Sequence, residues 1–289
     1  MSSVQMPEIA PNFPSSAVQQ AISIEAGRQC KGKLWSNLTE VCDLLHIPFN
    51  ASMAGGELLF QHVQFKTGQR IHTSGQRFDS LCIVNSGFLK TVSIDECGNE
   101  QVLSFPMKGD LLGVESIYTK KYFSDTVALS DCNLILLPFK RLAALGHAHA
   151  EIENAIYEML SRELVRKQMM VNMLGAPNAE ARVAGFLVSL SERYSEIGYS
   201  KTMFTLRMTR NEIGSYLGLS LETVSRTLSA LHEIGLISVD QRVIRIKELD
   251  LLKLLRRIPS SKSRTGRLKA GKSPSIIKWP QLVPGSLVN

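Results

Sequence analysis

A chain of 289 residues that is 44% hydrophobic holds enough apolar side chains for two compact domains, but no run long enough to span a membrane. Its five cysteines (Cys30, Cys42, Cys82, Cys97 and Cys132) are odd in number, scattered and without a C-x-x-C pair, which argues against a disulfide framework and against a zinc knuckle. The net charge of +7 comes from the end of the chain, where residues 251–289 hold nine Lys and Arg and no acid, so the body before them is slightly acidic and any DNA-binding argument must rest elsewhere.

Residues 1–30 are rich in Ser, Pro, Ala and Gln with weak periodicity and read as disordered. They lack a basic start followed by an apolar run, so a secretory signal is not supported and a cytoplasmic location is expected. Residues 31–147 read as a β-roll. Short apolar runs (Leu58–Phe60, Leu81–Val84, Phe88–Ile94, Gln101–Phe105, Asn133–Leu137) alternate with turn glycines at Gly68, Gly75, Gly87, Gly98 and Gly109. Glu96–Glu100 reads as a hairpin turn.

A helix is predicted over 148–175, free of Pro and closed by Gly175-Ala176-Pro177. Leu160, Leu164, Lys167, Val171 and Leu174 step by 4, 3, 4, 3, the spacing of a seam shared by two parallel helices, so this helix is expected to form a homodimer. Lys167 would face its own copy across that seam and so limit dimer strength. Residues 176–255 read as a second domain that begins with a helix capped by Asn178 and running to about Tyr194. The basic stretch 256–289 reads as a disordered tail able to add salt-sensitive affinity for DNA.

The informative stretch is 208–231. Thr209 can cap a short helix ending near Gly218, and Ser220 can cap a second one with Glu222 in its first turn. Two short helices around a tight Gly-containing turn make a helix-turn-helix. In the second helix Leu221, Val224, Leu228 and Leu231 are placed on the core face, and Glu222, Ser225, Arg226 and Ser229 on the opposite one. Arg226 suits a guanine, Glu222 a cytosine amino group, and Ser225 either a base or a thymine methyl. Thr209, Arg210 and Ser220 sit at helix starts, where they would hold phosphates without reading sequence. Leu236–Val239 and Arg242–Ile246 around Asp240-Gln241 read as the wing of a winged helix.

The order of β-roll, long helix and winged helix, with the motif Met208-Thr209-Arg210…Ile213-Gly214…Tyr216-Leu217-Gly218-Leu219…Glu222-Thr223-Val224-Ser225-Arg226, resembles the CRP/FNR superfamily of bacterial transcription regulators. Glu222 with Ser225-Arg226 resembles the FNR branch, as do Asn178–Arg182 and Ile47-Pro48-Phe49. The resemblance covers roughly residues 45–250. It implies an α+β chain: a jelly-roll sensory domain of the cyclic-nucleotide-binding kind, a dimerisation helix and a DNA-binding domain. It further implies palindromic double-stranded DNA with TTGAT-like half-sites, and RNA polymerase as a partner.

The chain departs from the family's sensors. Anchored on Ile47-Pro48-Phe49 and Pro138-Phe139, the thiolate positions of an FNR iron–sulfur cluster fall on Asn37, Glu40, His46 and Ile135, none a thiol. Cys30, Cys42 and Cys132 lack the spacing of a cluster site. The phosphate-holding Arg-Ser of the cyclic-nucleotide binders is replaced by Phe123-Ser124-Asp125, after Gly113-Val114-Glu115-Ser116, and the neighbouring Lys120-Lys121 reads as a solvated pair. Haem or a small-molecule effector stays open, although no spacing singles out an axial ligand among His46, His62, His72, His147 and His149. Cys82 and Cys97 are candidate redox-responsive thiols. No cofactor is therefore assigned. A remote rival, a cupin-like metalloenzyme, lacks clustered inward ligands: His62 and His72 lie ten residues apart, and His147-Ala148-His149 falls outside the strands.

Overall fold

Strands β2 (Leu59–Phe65), β4 (Ser80–Ser86) and β9 (Cys132–Pro138), each of seven residues, form the centre of one sheet. The structure, a computed structural model, describes residues 35–46 and 59–255. The expectations for residues 1–30, Cys30, Ile47-Pro48-Phe49, Leu58 and the basic tail 256–289 lie outside the described residues.

With β1 (Trp35–Asn37) and β7 (Leu111–Leu112), these strands make a five-stranded sheet in the order β1-β2-β9-β4-β7. A second sheet has the order β3-β8-β5-β6, from β3 (Arg70–His72), β8 (Asp125–Ala128), β5 (Leu89–Ile94) and β6 (Glu100–Ser104). All pairings are antiparallel, so each strand can bury one face. Cys82, Val84, Leu89, Leu112, Ala128, Cys132 and Leu134 fill a core shared by the two sheets. The β5–β6 connection is a hairpin whose tip is held by Asp95, which accepts from the backbone N–H of Cys97 and of Asn99 at 2.8 Å each.

Helix α1 (Leu38–Leu44) starts on a capping box, Asn37 with Glu40, and packs Val41 and Cys42 against Phe60 and Ile135. A single turn, α2 (Ser116–Thr119), lies between the two sheets' later strands. The helix expected over 148–175 is α4 (Ala150–Leu174), and a further helix, α3 (Phe139–Ala148), precedes it in residues expected to belong to the β-roll. His149 between them is extended, with φ −140° and ψ 110°, which breaks the helical path. The first turns of α4 bury Ile152, Ala155 and Met159 against the roll, and beyond them Arg162 and Arg166 still reach it while Leu164, Val165, Met169 and Val171 are exposed.

Asn178 accepts from Ala181 N at 2.7 Å and starts α5 (Ala179–Glu196), which buries Val183, Phe186, Leu187 and Leu190. Then come β10 (Met203–Thr205), α6 (Arg210–Leu217), α7 (Leu221–Glu233), β11 (Ile237–Asp240), β12 (Val243–Ile246) and α8 (Leu249–Leu255). The wing hairpin β11–β12 gains a third strand, β10, in the order β10-β12-β11. Three residues of mixed character gave that strand too little alternation to be read from sequence.

The two domains share a core. Val92, Val102, Phe105 and Met107 of the roll belong to the same buried cluster as Phe186, Ile213 and Leu217. The Tyr216 ring lies 5.1 Å from that of Phe105 and 5.8 Å from that of Phe186. Helix α6 lies along β6, the edge strand that needs covering. Val102 N donates to Ser215 Oγ at 2.8 Å, Ser215 Oγ donates to the Glu100 carbonyl at 3.1 Å, and the Gln101 amide donates to the Ser215 carbonyl.

Candidate nucleic-acid interface

The helix-turn-helix is assembled by caps at both of its starts. Thr209 Oγ1 accepts from Glu212 N at 3.2 Å while the Glu212 carboxylate accepts from Thr209 N at 2.7 Å, a complete capping box for α6. Helix α6 ends at Gly218, whose φ of +64° is the left-handed conformation glycine adopts without strain. Ser220 Oγ then accepts from Thr223 N at 3.1 Å and starts α7. The two helices are close at Gly214, where a Cβ would meet the Leu219 carbonyl oxygen at 2.6 Å.

On α7, Val224, Thr227, Leu228 and Leu231 are buried. The three aliphatic side chains among them contribute roughly 1.5–3 kcal/mol each by their burial. Leu221, expected on the core face, is 43% exposed instead. It occupies the first helical position, and the first turn of α7 projects beyond the core stripe that begins at Val224. Glu222 and Arg226 are exposed and Ser225 is half-buried, so the three expected base readers share the outer face. Its own backbone N–H, the Ser220 hydroxyl and the Arg226 charge hold the Glu222 carboxyl below its usual range, so it is a committed acceptor at neutral pH.

Of the expected phosphate contacts, Thr209 and Ser220 are exposed at the two helix starts. Arg210 is half-buried and donates to the carbonyl of Gln241 at 3.2 Å, tying α6 to the wing turn. Burial and the nearby Arg242 lower its pKa. A groove between α7 and the wing is lined by Arg210, Ser225, Ser229, His232 and Glu233. Sequence reasoning found the wing but not its charges: Arg207, Arg242, Arg245 and Lys247 are all exposed around it. The signal was present at β12, where exposed Arg245 alternates with buried Ile244 and Ile246 and Arg242 stands in the turn just before the strand.

On α4, Leu164 and Val171 are 71% and 60% exposed, Lys167 is exposed, and Leu160 and Leu174 are half-buried. Among the described residues, nothing therefore covers the middle of the expected seam at Leu164, Lys167 and Val171, while its two ends are partly packed.

The roll does not fit an FNR-type cluster. Asn37 and Glu40 are spent on capping α1, His46 sits in a left-handed turn at φ +55°, and Ile135 is buried in the apolar core. Among the described residues, no three His, Cys, Asp or Glu side chains converge on a point that could hold a metal. His62 has both ring nitrogens engaged, by Ser36 and by Asn133, at 2.8 Å each. At the cassette, Asp125 is buried and paired with Arg70 at 3.0 Å, and the Phe123-Ser124-Asp125 stretch carries no Arg. The four described cysteines are free; burial pushes Cys42 and Cys132 up to about 11 and Cys82 up to about 12, while Cys97 is exposed at the hairpin tip. No described helix is long and apolar enough to cross a membrane.

A roll joined by a long helix to a winged helix-turn-helix with an open reading face defines a DNA-binding transcription regulator. Residues 62–149 match the family described as cyclic nucleotide-binding domain, and residues 181–255 the Crp-like helix-turn-helix domain. The chain is 35% identical to the transcriptional regulatory protein btr of Bordetella pertussis over 75% of its own length and 90% of that protein's. It is 32% identical to the transcriptional activator protein FnrA of Stutzerimonas stutzeri, covering 79% of this chain and 93% of that one. The solved structure of FixK2 from Bradyrhizobium japonicum superposes with a TM-score of 0.63 at 26% identity, over 71% of this chain and all of that one. The chain belongs to the CRP/FNR family of transcription regulators, and its FNR-like character is supported by these relatives. These matches point to a regulator rather than an enzyme.

Proposed function

We propose that the protein acts in the cytoplasm as a homodimer that binds a palindromic TTGAT-like site and activates transcription through contact with RNA polymerase. The observation that carries this reading is the outer face of α7, where Glu222, Ser225 and Arg226 stand clear of the core on a helix fixed by Val224, Leu228 and Leu231. Arg226 would pair bidentately with a guanine, Glu222 would accept from a cytosine amino group, and Ser225 would touch the neighbouring base. Thr209, Ser220 and the remaining donors of Arg210 would hold phosphates, joined by Arg242 and Arg245 of the wing. The α4 surface of Leu160, Leu164, Lys167, Val171 and Leu174 would meet its own copy, which matches the two-fold symmetry of the site to that of the protein.

The same reading has DNA binding proceed without a cyclic nucleotide or an oxygen-labile cluster, because Phe123-Ser124-Asp125 carries no Arg for a phosphate and the nearby Arg70 is engaged by Asp125. The test measures binding to a TTGAT-N4-ATCAA duplex and to a scrambled duplex, with protein prepared in air and anaerobically, with and without cyclic AMP. Selective binding of similar strength in all arms is expected. Selectivity seen only anaerobically or only with the nucleotide would refute the effector-free part. Arg226→Ala should lose about 1–3 kcal/mol of discrimination at its guanine, whereas Arg210→Ala should weaken both duplexes alike. Equal losses by both variants on both duplexes would refute the assigned roles.

A further inference from the structure

We infer that the β5–β6 hairpin of the roll is a positioning device that fixes the helix-turn-helix against the dimer helix and thereby makes the protein selective for half-site spacing. This rests on the proposed homodimer on a palindrome. Covalently, α4 and α5 are joined only by Gly175–Asn178. Such a short connection limits distance but leaves the swing of the DNA-binding domain open. The apolar core that the domains share presses them together, and three polar contacts fix their relative orientation.

First, Lys90 on β5 places its ammonium 3.0 Å from Glu212 and 3.4 Å from Glu100, with only 15% of its side chain exposed. Burial works against the Lys90 charge, but the hydrogen bonds and charges of Glu212 and Glu100 outweigh it and hold its pKa above the usual range. Glu212 is also the acid of the α6 capping box, so one carboxylate connects the roll to the start of the helix-turn-helix. Second, the Ser215 hydroxyl engages two backbone groups on the outer edge of β6, as donor to the Glu100 carbonyl and acceptor from Val102 N. Third, the buried Asp110, next to β7, pairs with Arg166 of α4 at 2.6 Å and with Arg193 of α5, so the roll, the dimer helix and the DNA-binding domain meet at one carboxylate.

None of these contacts covers the reading face: Glu222 and Arg226 stay exposed in the docked arrangement. The hairpin therefore does not mask the helix; it sets where the helix points. In a two-fold dimer that setting fixes the separation and relative rotation of the two recognition helices. Each base pair added between half-sites moves them apart by about 3.4 Å and turns them by about a tenth of a turn. A held domain cannot follow that change, and a released one can.

The experiment compares wild type, Lys90→Met, Ser215→Ala and the conservative Lys90→Arg on four duplexes: a single half-site, the N4 palindrome, and palindromes with the spacer lengthened by one or two base pairs. For the wild type, lengthening by two base pairs should weaken binding by at least about tenfold, within the usual range of coupling between linked sites. In Lys90→Met and Ser215→Ala that ratio should shrink to about threefold or less. Single half-site affinity should be unchanged, and Lys90→Arg should keep the wild-type ratio. Loss of base contacts or general destabilisation would lower half-site binding and leave the ratio alone. Should Lys90→Met fail to fold, Ser215→Ala, which removes one hydroxyl and leaves the Lys90–Glu212 pair in place, carries the test. Variants that keep the wild-type ratio overturn the inference, as do variants that bind every duplex more tightly, the mark of an inhibitory latch. A wild type that binds palindrome and half-site alike refutes the dimer reading itself, and this inference with it.

Discussion

Replacing Gly214 with Ala tests whether the turn of the helix-turn-helix is as tightly specified as its geometry implies. Gly214 lies inside α6, where alanine alone would stabilise the helix by about 1 kcal/mol. The new Cβ would stand 2.6 Å from the Leu219 carbonyl oxygen and 3.4 Å from the Ser220 carbonyl carbon, both backbone atoms of the turn. They cannot yield as a flexible side chain would. Relief requires the turn to open, which strains the Leu219 N to Gly214 O hydrogen bond of 2.9 Å and the Ser220 cap of α7. Overpacking of this kind costs about 1–3 kcal/mol, and a weakened hydrogen bond and cap each cost about 1 kcal/mol. Set against the propensity gain, the net destabilisation is roughly 2–4 kcal/mol, or a fall in melting temperature of roughly 4–16 °C where the two domains, which share a core, melt as one unit. The assay is thermal melting beside duplex binding, because a shifted α7 loses selectivity as well as stability. A variant that melts at or above the wild-type temperature with unchanged selectivity would refute the reasoning.

Lys167→Leu should lower the dimer dissociation constant at least about tenfold in sedimentation or dilution experiments, since it removes facing charges and buries two leucines; an unchanged constant would remove Lys167 from the interface. His72, stacked on Tyr122 at 4.0 Å, is held by burial down to a pKa of about 4, with Asp125 pulling the other way. The unfolded chain therefore takes up this proton first, and stability falls as pH drops from about 6.5 towards 4, by at most about 3 kcal/mol. His72→Gln should reduce the difference in melting temperature between pH 7.5 and pH 4.5, and an equal difference in the variant would contradict that assignment. In a Cys30→Ser background, one thiol, Cys97, should react quickly with a thiol reagent in the folded protein, while Cys42, Cys82 and Cys132 wait for unfolding; labelling of Cys82 without unfolding would contradict its burial.

The local chemistry of the DNA-binding domain was legible because it is written within a few residues. Thr209 with Glu212, Gly218, and Ser220 before Thr223 are signals of short range, and each appears in the structure as the cap or turn it implies. The 3.6-residue period placed Val224, Leu228 and Leu231 correctly and failed for Leu221, since periodicity does not know where a helix end leaves the core. Helix α3 was missed for a related reason: residues 139–147 were read as part of the roll, and only their packing on α4 shows where the strands end. What sequence could not show is the joint between domains. Lys90 with Glu212, Val102 with Ser215 and Asp110 with Arg193 join residues roughly a hundred positions apart. No local pattern distinguishes them from solvated surface residues.

The covering of β6 by α6 also bears on how separable the two halves of the molecule are. A fragment ending after α4 would leave the β6 backbone unpaired along its outer side and uncover Val92, Val102, Phe105 and Met107 beside it. An open edge flanked by apolar side chains is a template for another strand, so such a fragment would tend to associate edge to edge. Grafting this roll onto a foreign winged helix would meet the same difficulty unless the new partner brought a hydroxyl at the position of Ser215 and an aromatic at that of Tyr216. In this chain the DNA-binding domain doubles as the closing wall of the β-roll, and each leaves an apolar face bare without the other.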